Sequence, residues 1–340
     1  MIPGSGYIAT PILIVINIVI YGLMVASGVD PFEPDGGDLI SWGSNTQFYT
    51  LDGEWWRLIT SCFVHIGMLH LLFNMYALAF IGLNLESIIG SIGFFVAYLL
   101  AGIAGSLGSV WWHDLTNSAG ASGAIFGLLG LFALLLMTNV IPKKIRKNLL
   151  ISVMVFIGYS LLFGLRGNID NAAHIGGLAG GTLLGMIYFP GLKYPRYKTL
   201  FIGMGVLMVI SIELVFFAGI PRSLAEYSRM MDRITKNETR ALNYFELPDD
   251  TTKELLLSEL KDHGIILWQK NLKITDSISK IPKLPNKMII RNLALKEYFK
   301  LRVSVSQLTY QSIKLETGIF DEQIAIKYER IKEVRDLLNQ

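Results

Sequence analysis

The chain predicts an all-α fold, a polytopic membrane helical bundle followed by a soluble helical tail, and three observations lead there. Of its 340 residues 52% are hydrophobic and 17% charged, against roughly 25% charged in an ordinary soluble domain. The charge is unevenly spread: residues 1–220 hold nine of the 30 Lys and Arg and ten of the 27 Asp and Glu. That charge-poor stretch contains seven apolar runs close to the ~20 residues a membrane crossing needs.

The runs are 8–27, 66–86, 91–112, 121–141, 148–165, 171–190 and 199–220. Met1 to Pro11 carries no basic residue and no small-residue cleavage site follows the first run, so a retained membrane helix is expected and not a removed signal peptide. Beyond residue 220 the composition becomes that of a soluble domain, with helices expected over about 223–243, 252–271, 287–315 and 321–338. Thr251 with Glu254 reads as a capping box ahead of Leu255, Leu256 and Leu257, and Pro282 and Pro285 mark a break. The expected division is 1–198 for a six-helix membrane core, 199–220 for a seventh span and 221–340 for the soluble domain.

Basic residues orient the bundle. Lys143, Lys144, Arg146 and Lys147 lie between spans four and five, and Lys193, Arg196 and Lys198 between spans six and seven. With seven spans both loops share one side, which the positive-inside rule makes cytoplasmic. The first loop, 28–65, carries Asp30, Glu33, Asp35, Asp38, Asp52 and Glu54 against Arg57 alone and falls outside. The expected location is a bacterial inner membrane, N-terminus cytoplasmic and C-terminal domain extracytoplasmic. The single cysteine, Cys62, excludes an intramolecular disulfide and reads as a small buried apolar residue. The net charge of +3 is small, comes mostly from the tail and argues only weakly for a nucleic-acid partner, so none is expected.

Polar residues inside spans are costly and mark function. Ser122, in Gly120-Ala121-Ser122-Gly123, opens span four; His174 opens span six; His70 lies one turn into span two. Spans two, four and six all enter from the outside, so the three residues share a depth. Ser122, near a helix N-terminus with free N–H groups, is the candidate nucleophile, and His174 the candidate base. His70 and Asn74, spaced i, i+4, share one face and are candidate oxyanion donors. Gly177 and Gly181 form a small-residue face that brings span six against a neighbour. Phe126, i+4 from Ser122, is placed to stack on the His174 ring. His65 is expected to hold the first loop. Asp170 or Asn171 is positioned to orient the imidazole, but the cost of a buried ionised Asp favours a Ser–His dyad. Glu86 suits a capping role at the inner end of span two, and Glu213, in span seven, has no assigned role. No metal or other cofactor is implied.

Together these residues resemble the rhomboid family of intramembrane serine proteases. The resemblance covers about residues 55–185 and rests on Trp56-Arg57, His65-x4-His70-x3-Asn74, Gly120-Ala121-Ser122-Gly123 and Ala173-His174-x2-Gly177-x3-Gly181. It implies Ser122 as nucleophile and His174 as general base and acid, with the oxyanion held by the Ser122 N–H, His70 and Asn74. It also implies a loop motif at Trp56-Arg57, an aromatic support at Phe126 and a structural glutamate at Glu86. The seventh span resembles the family's six-plus-one form. Expected partners are transmembrane protein substrates, cut near the outer face, and the lipid bilayer; the tail's partner is unassigned. Span five and the 164–170 loop are the expected gate, with Phe156, Tyr159 and Phe163 on it. The rivals are a non-catalytic rhomboid-like scaffold that binds membrane helices, and a transporter, which would need an internal repeat that is not seen.

Overall fold

Residues 6–113, 116–165, 169–243, 247–248 and 250–338 are described in the structure, a computed structural model. Among them the chain is helical, with no strand beyond an isolated bridge between Asn45 and Ser118. It divides into two compact units, Met1–Pro221 and Arg222–Gln340.

In the first unit, α1 (Ala9–Ala26), α5 (Met68–Ile89), α6 (Ser91–Trp112), α8 (Lys143–Gly164), α9 (Asn171–Lys193) and α10 (Lys198–Gly219) are long and apolar enough to cross a membrane. The connection from α1 to α5 contains three short helices, α2 (Gly36–Ser41), α3 (Gln47–Leu51) and α4 (Arg57–Thr60). The helix that begins at Ser122, α7 (Ser122–Met137), is shorter than expected at 16 residues. That gives about 24 Å of length, short of a ~30 Å hydrocarbon core. Its brevity is compatible with a membrane because α7 sits at the centre: α5, α6, α8 and α9 pack around it, and residues from Gly123 to Phe132 are all buried. Its first turns are therefore enclosed by protein.

The ends of α7 and α8 also differ from expectation. At Thr138 the backbone turns extended. Its hydroxyl donates to the Leu135 carbonyl and accepts from the Val140 N–H, and Arg146 donates to the Thr138 carbonyl at 2.7 Å. Pro142 then initiates α8 at Lys143, five residues before its apolar run begins. A run of apolar residues thus overestimates one helix and underestimates the next, because a turn can be apolar and a basic first turn can be helical.

Glycine decides how closely the central helices approach. A Cβ on Gly177 would lie 2.0 Å from the Gly123 carbonyl oxygen, and one on Gly181 would lie 1.8 Å from that of Gly127. A Cβ on Gly127 would in turn lie 2.1 Å from the Ala101 Cβ of α6. Backbone therefore packs on backbone along α7 and α9, the small-residue route to helix association where the hydrophobic effect is weak. At the other end of the bundle Glu86, only 2% exposed, binds α1 to α5. It accepts from the Ile8, Ala9 and Thr10 N–H groups at 2.8, 2.8 and 2.9 Å, and from the Thr10 and Ser91 hydroxyls. The unpaired donors of the first turn of α1 are met by one carboxylate, which also suits the positive end of the helix dipole.

The second unit contains α11 (Ser223–Leu242), α12 (Lys253–Glu259), α13 (Ile266–Ile278), α14 (Asn286–Leu315) and α15 (Asp321–Leu338), with a π-helical turn over Leu260–Ile265. Its core gathers Trp268, Phe299, Ile278, Ile234 and Val334. The expected capping box does not form. The Thr251 hydroxyl donates to the Pro248 carbonyl, and α12 starts after Thr252 with no side-chain cap.

The glycine contacts give a direct test. Gly181→Ala forces α7 and α9 apart and should destabilise the bundle by about 1–3 kcal/mol, read as a lower thermal midpoint in detergent. Gly203→Ala, on α10 with nothing near its Cβ position, should leave the midpoint unchanged or raise it. Equal midpoints for both variants would mean the close approach is not what holds these helices.

Candidate active site

The segment that leads into Ser122 is fastened to the first loop before the helix begins. Asn45 and Ser118 exchange backbone hydrogen bonds at 2.8 Å, and the Gly120 N–H donates to the Ser61 carbonyl at 2.9 Å. The Ala121 N–H donates to His65 Nε2 at 3.4 Å. His65 is fully buried, and its Nδ1–H donates to the Phe63 carbonyl at 3.2 Å, which leaves Nε2 free to accept. Burial pushes its pKa down to about 3, so the ring is neutral, as this pairing needs. Gly120 adopts φ +127, a left-handed backbone that disfavours any residue with a Cβ.

His70 and Asn74 close over Gly120 from α5. A Cβ at Gly120 would lie 2.5 Å from His70 Cε1, 2.9 Å from its Nε2 and 3.6 Å from Asn74 Nδ2. His70 Nδ1 accepts from the Ile66 N–H at 3.3 Å, so its proton is on Nε2, on the Gly120 side. Asn74 spends one amide hydrogen on the His70 carbonyl at 3.0 Å, which leaves the other available. Ser122 is the first residue of α7, and its N–H belongs to the first turn, whose donors have no partner within the helix. Three N–H donors thus lie about the Gly120–Ser122 backbone.

His174 stands opposite. Its Nε2 is 2.9 Å from Ser122 Oγ, and the residue is 6% exposed. The ring stacks on Phe126 with centroids 4.1 Å apart and planes 6° from parallel. No described residue hydrogen-bonds Nδ1. Neither residue considered for orienting the imidazole does so. Asp170 caps α9 by accepting from the Ala173 N–H at 3.0 Å and lies 3.6 Å from His113 Nε2, and the Asn171 amide donates to the Leu161 carbonyl. Packing replaces a carboxylate as the ring's support.

The first loop has its own keystone. Arg57 is buried. It meets Glu54 at 2.6 Å, donates to the Ile40 and Ser44 carbonyls at 2.7 and 2.9 Å, and lies 4.9 Å over the Tyr49 ring. Trp56 is exposed and sits edge-on to Trp55. Asn45 and Gln47 attach the loop to α6 through the Ser106 and Val110 carbonyls, each at 2.9 Å. Sequence reasoning missed Asn45, Ser61 and Ser118: the backbone pairings of Ser61 and Ser118 demand no particular residue, and the Asn45 amide meets an α6 carbonyl far from it in sequence. Phe156, Tyr159 and Phe163 are exposed on α8; of the 164–170 loop, residues 166–168 lie outside the described residues. Glu213 Oε1 has no partner among the described residues. No group of His, Cys, Asp and Glu among those residues has a metal-binding arrangement.

Comparison with known proteins places this chain in a family. The Rhomboid domain model matches residues 52–191. Rhomboid protease AarA of Providencia stuartii is 31% identical over 199 residues, covering 52% of this chain and 70% of that protein. The chain belongs to the rhomboid family. Rhomboid protease GluP of Bacillus subtilis is 40% identical over 145 residues, 42% of this chain, and RHOMBOID-like protein 1 of Arabidopsis thaliana 38% identical over 144 residues, again 42%. The matched stretches span only 28% and 36% of those two relatives. This is a family of intramembrane proteases, and with its apolar helices this rhomboid protein is an integral multi-pass membrane protein. The family match ends before α10 and the helical unit that follows it.

The loop keystone is testable apart from any activity. Arg57→Lys keeps the charge but loses the planar fork that reaches two carbonyls and a carboxylate. It should cost about 1–3 kcal/mol and speed proteolysis within residues 28–66. A loop as resistant as the wild type would place its support elsewhere.

Proposed function

We propose that this rhomboid protein is a serine endopeptidase that hydrolyses peptide bonds in or near transmembrane helices of membrane-protein substrates by a Ser122–His174 dyad. The observation that carries the reading is the 2.9 Å contact of Ser122 Oγ with a His174 ring held by Phe126. With Nε2 accepting from the serine, the imidazole proton is on Nδ1. His174 Nε2 takes the Ser122 proton as Oγ attacks the scissile carbonyl. It then returns the proton to the leaving amine, and water repeats the cycle on the acyl-enzyme. The negative oxygen of the tetrahedral intermediate is met by the Ser122 N–H, His70 Nε2–H and the free Asn74 amide hydrogen. His65, Trp56, Arg57, Glu86, Gly177 and Gly181 support this arrangement without touching the reacting atoms.

The substrate class follows from the medium. A spanning helix has every backbone group bonded internally, so its carbonyls become available only where the helix unwinds. Substrates are single-span proteins with Gly, Pro or Ser near the cut. Cleavage falls near the outer face of a bacterial inner membrane, with the N-terminus of this chain in the cytoplasm and its soluble domain outside. The division into a six-helix core over 1–198, a seventh span over 199–220 and a C-terminal domain over 221–340 belongs to the same reading. Span five acts as the gate that admits substrate, with Phe156, Tyr159 and Phe163 facing the entering helix.

Purified Ser122→Ala and His174→Ala should each cleave a transmembrane reporter at least about a thousandfold more slowly than wild type. A fluorophosphonate probe should label the wild type and not Ser122→Ala. Cleavage by either variant at the wild-type rate would reject the dyad. A wild type that binds single-span helices but never cuts them would favour a non-catalytic scaffold. His70→Ala and Asn74→Ala should each lower kcat by about a hundredfold with little change in KM, the pattern of donors that act only in the transition state. A rise in KM at constant kcat would instead make them substrate-binding groups.

A further inference from the structure

The helical unit Arg222–Gln340 carries a feature that peptide-bond hydrolysis does not use. On α11, Arg229, Arg233, Lys236 and Arg240 recur at i, i+4, i+7 and i+11, and all four are exposed. At the helical step these positions fall within an arc of about 60°, so one face of α11 is a basic stripe. α13 packs beside α11 and presents Lys270, Lys273 and Ser277 on one of its own faces. Arg233, Lys236, Arg240, Lys270 and Lys273 border a groove of about 560 Å³, and no carboxylate lines it. Its shape is fixed from below: the Asn237 amide donates to Asn271 at 2.8 Å, and the fully buried Asn271 donates to the Ile234 carbonyl.

The acids nearby take up only one of its five cations. Asp232 pairs with Lys236 at 2.7 Å, Glu259 pairs with His263 at 2.6 Å, and Glu238 accepts from Tyr298. Among the described residues no carboxylate pairs with Arg233, Arg240, Lys270 or Lys273. A surface whose charges were merely solvated would intersperse both signs. Here the cations converge on a polar hollow, and an anion seated in it relieves their mutual repulsion. Two guanidinium forks with the two ammonium groups of Lys270 and Lys273 suit phosphate oxygens.

Chain connection selects which phosphate. The membrane-length helix α10 ends at Gly219 and α11 begins at Ser223, so Arg233 lies within about 30 Å of chain from the end of a membrane-spanning helix. The phosphates held in reach by that tether are those of the lipid headgroups, at high effective concentration, and an anionic leaflet attracts clustered Lys and Arg near its surface. We propose that the α11–α13 groove is a binding site for the headgroup phosphates of anionic phospholipids, which seats the C-terminal unit on the bilayer that anchors it. The inference uses the membrane spans alone and stands whether or not the protein cuts substrates.

The test uses the full chain in nanodiscs of phosphatidylcholine, alone or mixed with phosphatidylglycerol, and reads amide hydrogen exchange in α11 and α13. Phosphatidylglycerol should slow exchange there by about tenfold, and high salt should reverse the effect. Arg233→Glu with Arg240→Glu, Lys270→Glu and Lys273→Glu should abolish it, whereas Arg233→Lys with Arg240→Lys should keep most of it. Reversing four exposed cations elsewhere in the unit, Lys287, Lys300, Lys314 and Arg335, should leave it intact. If the fourfold groove variant exchanges fast throughout α14 and α15 it has unfolded, and Arg233→Gln with Lys273→Gln takes its place. Equal exchange in the two lipids overturns the proposal, as does equal loss in the distant variant. The same protection from glycerol phosphate in phosphatidylcholine discs would make the site one for a soluble anion, and from a short RNA one for nucleic acid; either result rejects the lipid site.

Discussion

The close approach of α7 and α9 is the constraint from which the rest of the membrane unit follows. Gly177 and Gly181 rest on the carbonyls of Gly123 and Gly127 with no room for a Cβ, so the two backbones are in register one turn below Ser122 and His174. Once that distance and register are set, a serine at the first position of one helix and a histidine in the first turn of the other have little freedom left. Their 2.9 Å contact is a product of backbone packing as much as of side-chain chemistry. The same packing explains why α7 tolerates its shortness. A helix ringed by four others does not need to match the thickness of the bilayer, and its N-terminus can lie below the membrane surface with its free N–H groups directed into the protein.

A second layer of order comes from three histidines held in complementary states. His65 donates from Nδ1 to Phe63 and accepts at Nε2 from Ala121. His70 accepts at Nδ1 from Ile66 and so carries its proton on Nε2. His174 meets a hydroxyl at Nε2. Backbone groups of the first loop assign the first two, so a segment without regular structure sets the proton positions around Gly120. That accounts for the effort spent in fastening the loop, through Arg57 within it and through Asn45 and Gln47 to α6. The Gly120 backbone, at φ +127, is the place where these elements meet, and any side chain there would strike the His70 ring.

Much of this was legible in the sequence because the informative residues sit on helices. A hydroxyl and an imidazole opening apolar runs, a His and an Asn one turn apart, and glycines spaced by four are local patterns with one geometric meaning. The Phe126 ring was placed by its i+4 spacing alone. What was not legible is what depends on partners distant in sequence. The extent of α7 is set by Thr138 and Arg146 folding the chain back, which an apolar count through Ile141 does not register. The Thr251 hydroxyl had two acceptable uses, and the carbonyl of Pro248 took it. Asn45 and Ser118 pair through backbone atoms that any residue supplies.

The absence of a third charged member beside His174, among the described residues, has a physical reason. A carboxylate on the buried Nδ1 would steady the ring but would bring an ionised group into a site flanked by lipid-facing helices, where desolvation is severe. Asp170, the residue immediately before α9, is used at the helix mouth as a cap, where the helix dipole and the Ala173 N–H stabilise it. The Phe126 face fixes the imidazole at no electrostatic cost, since a flat ring stacked at 4.1 Å leaves few other rotamers open. A serine and a histidine brought together in an apolar medium are thus better held by one neutral hydrogen bond and one aromatic contact than by a buried ion pair.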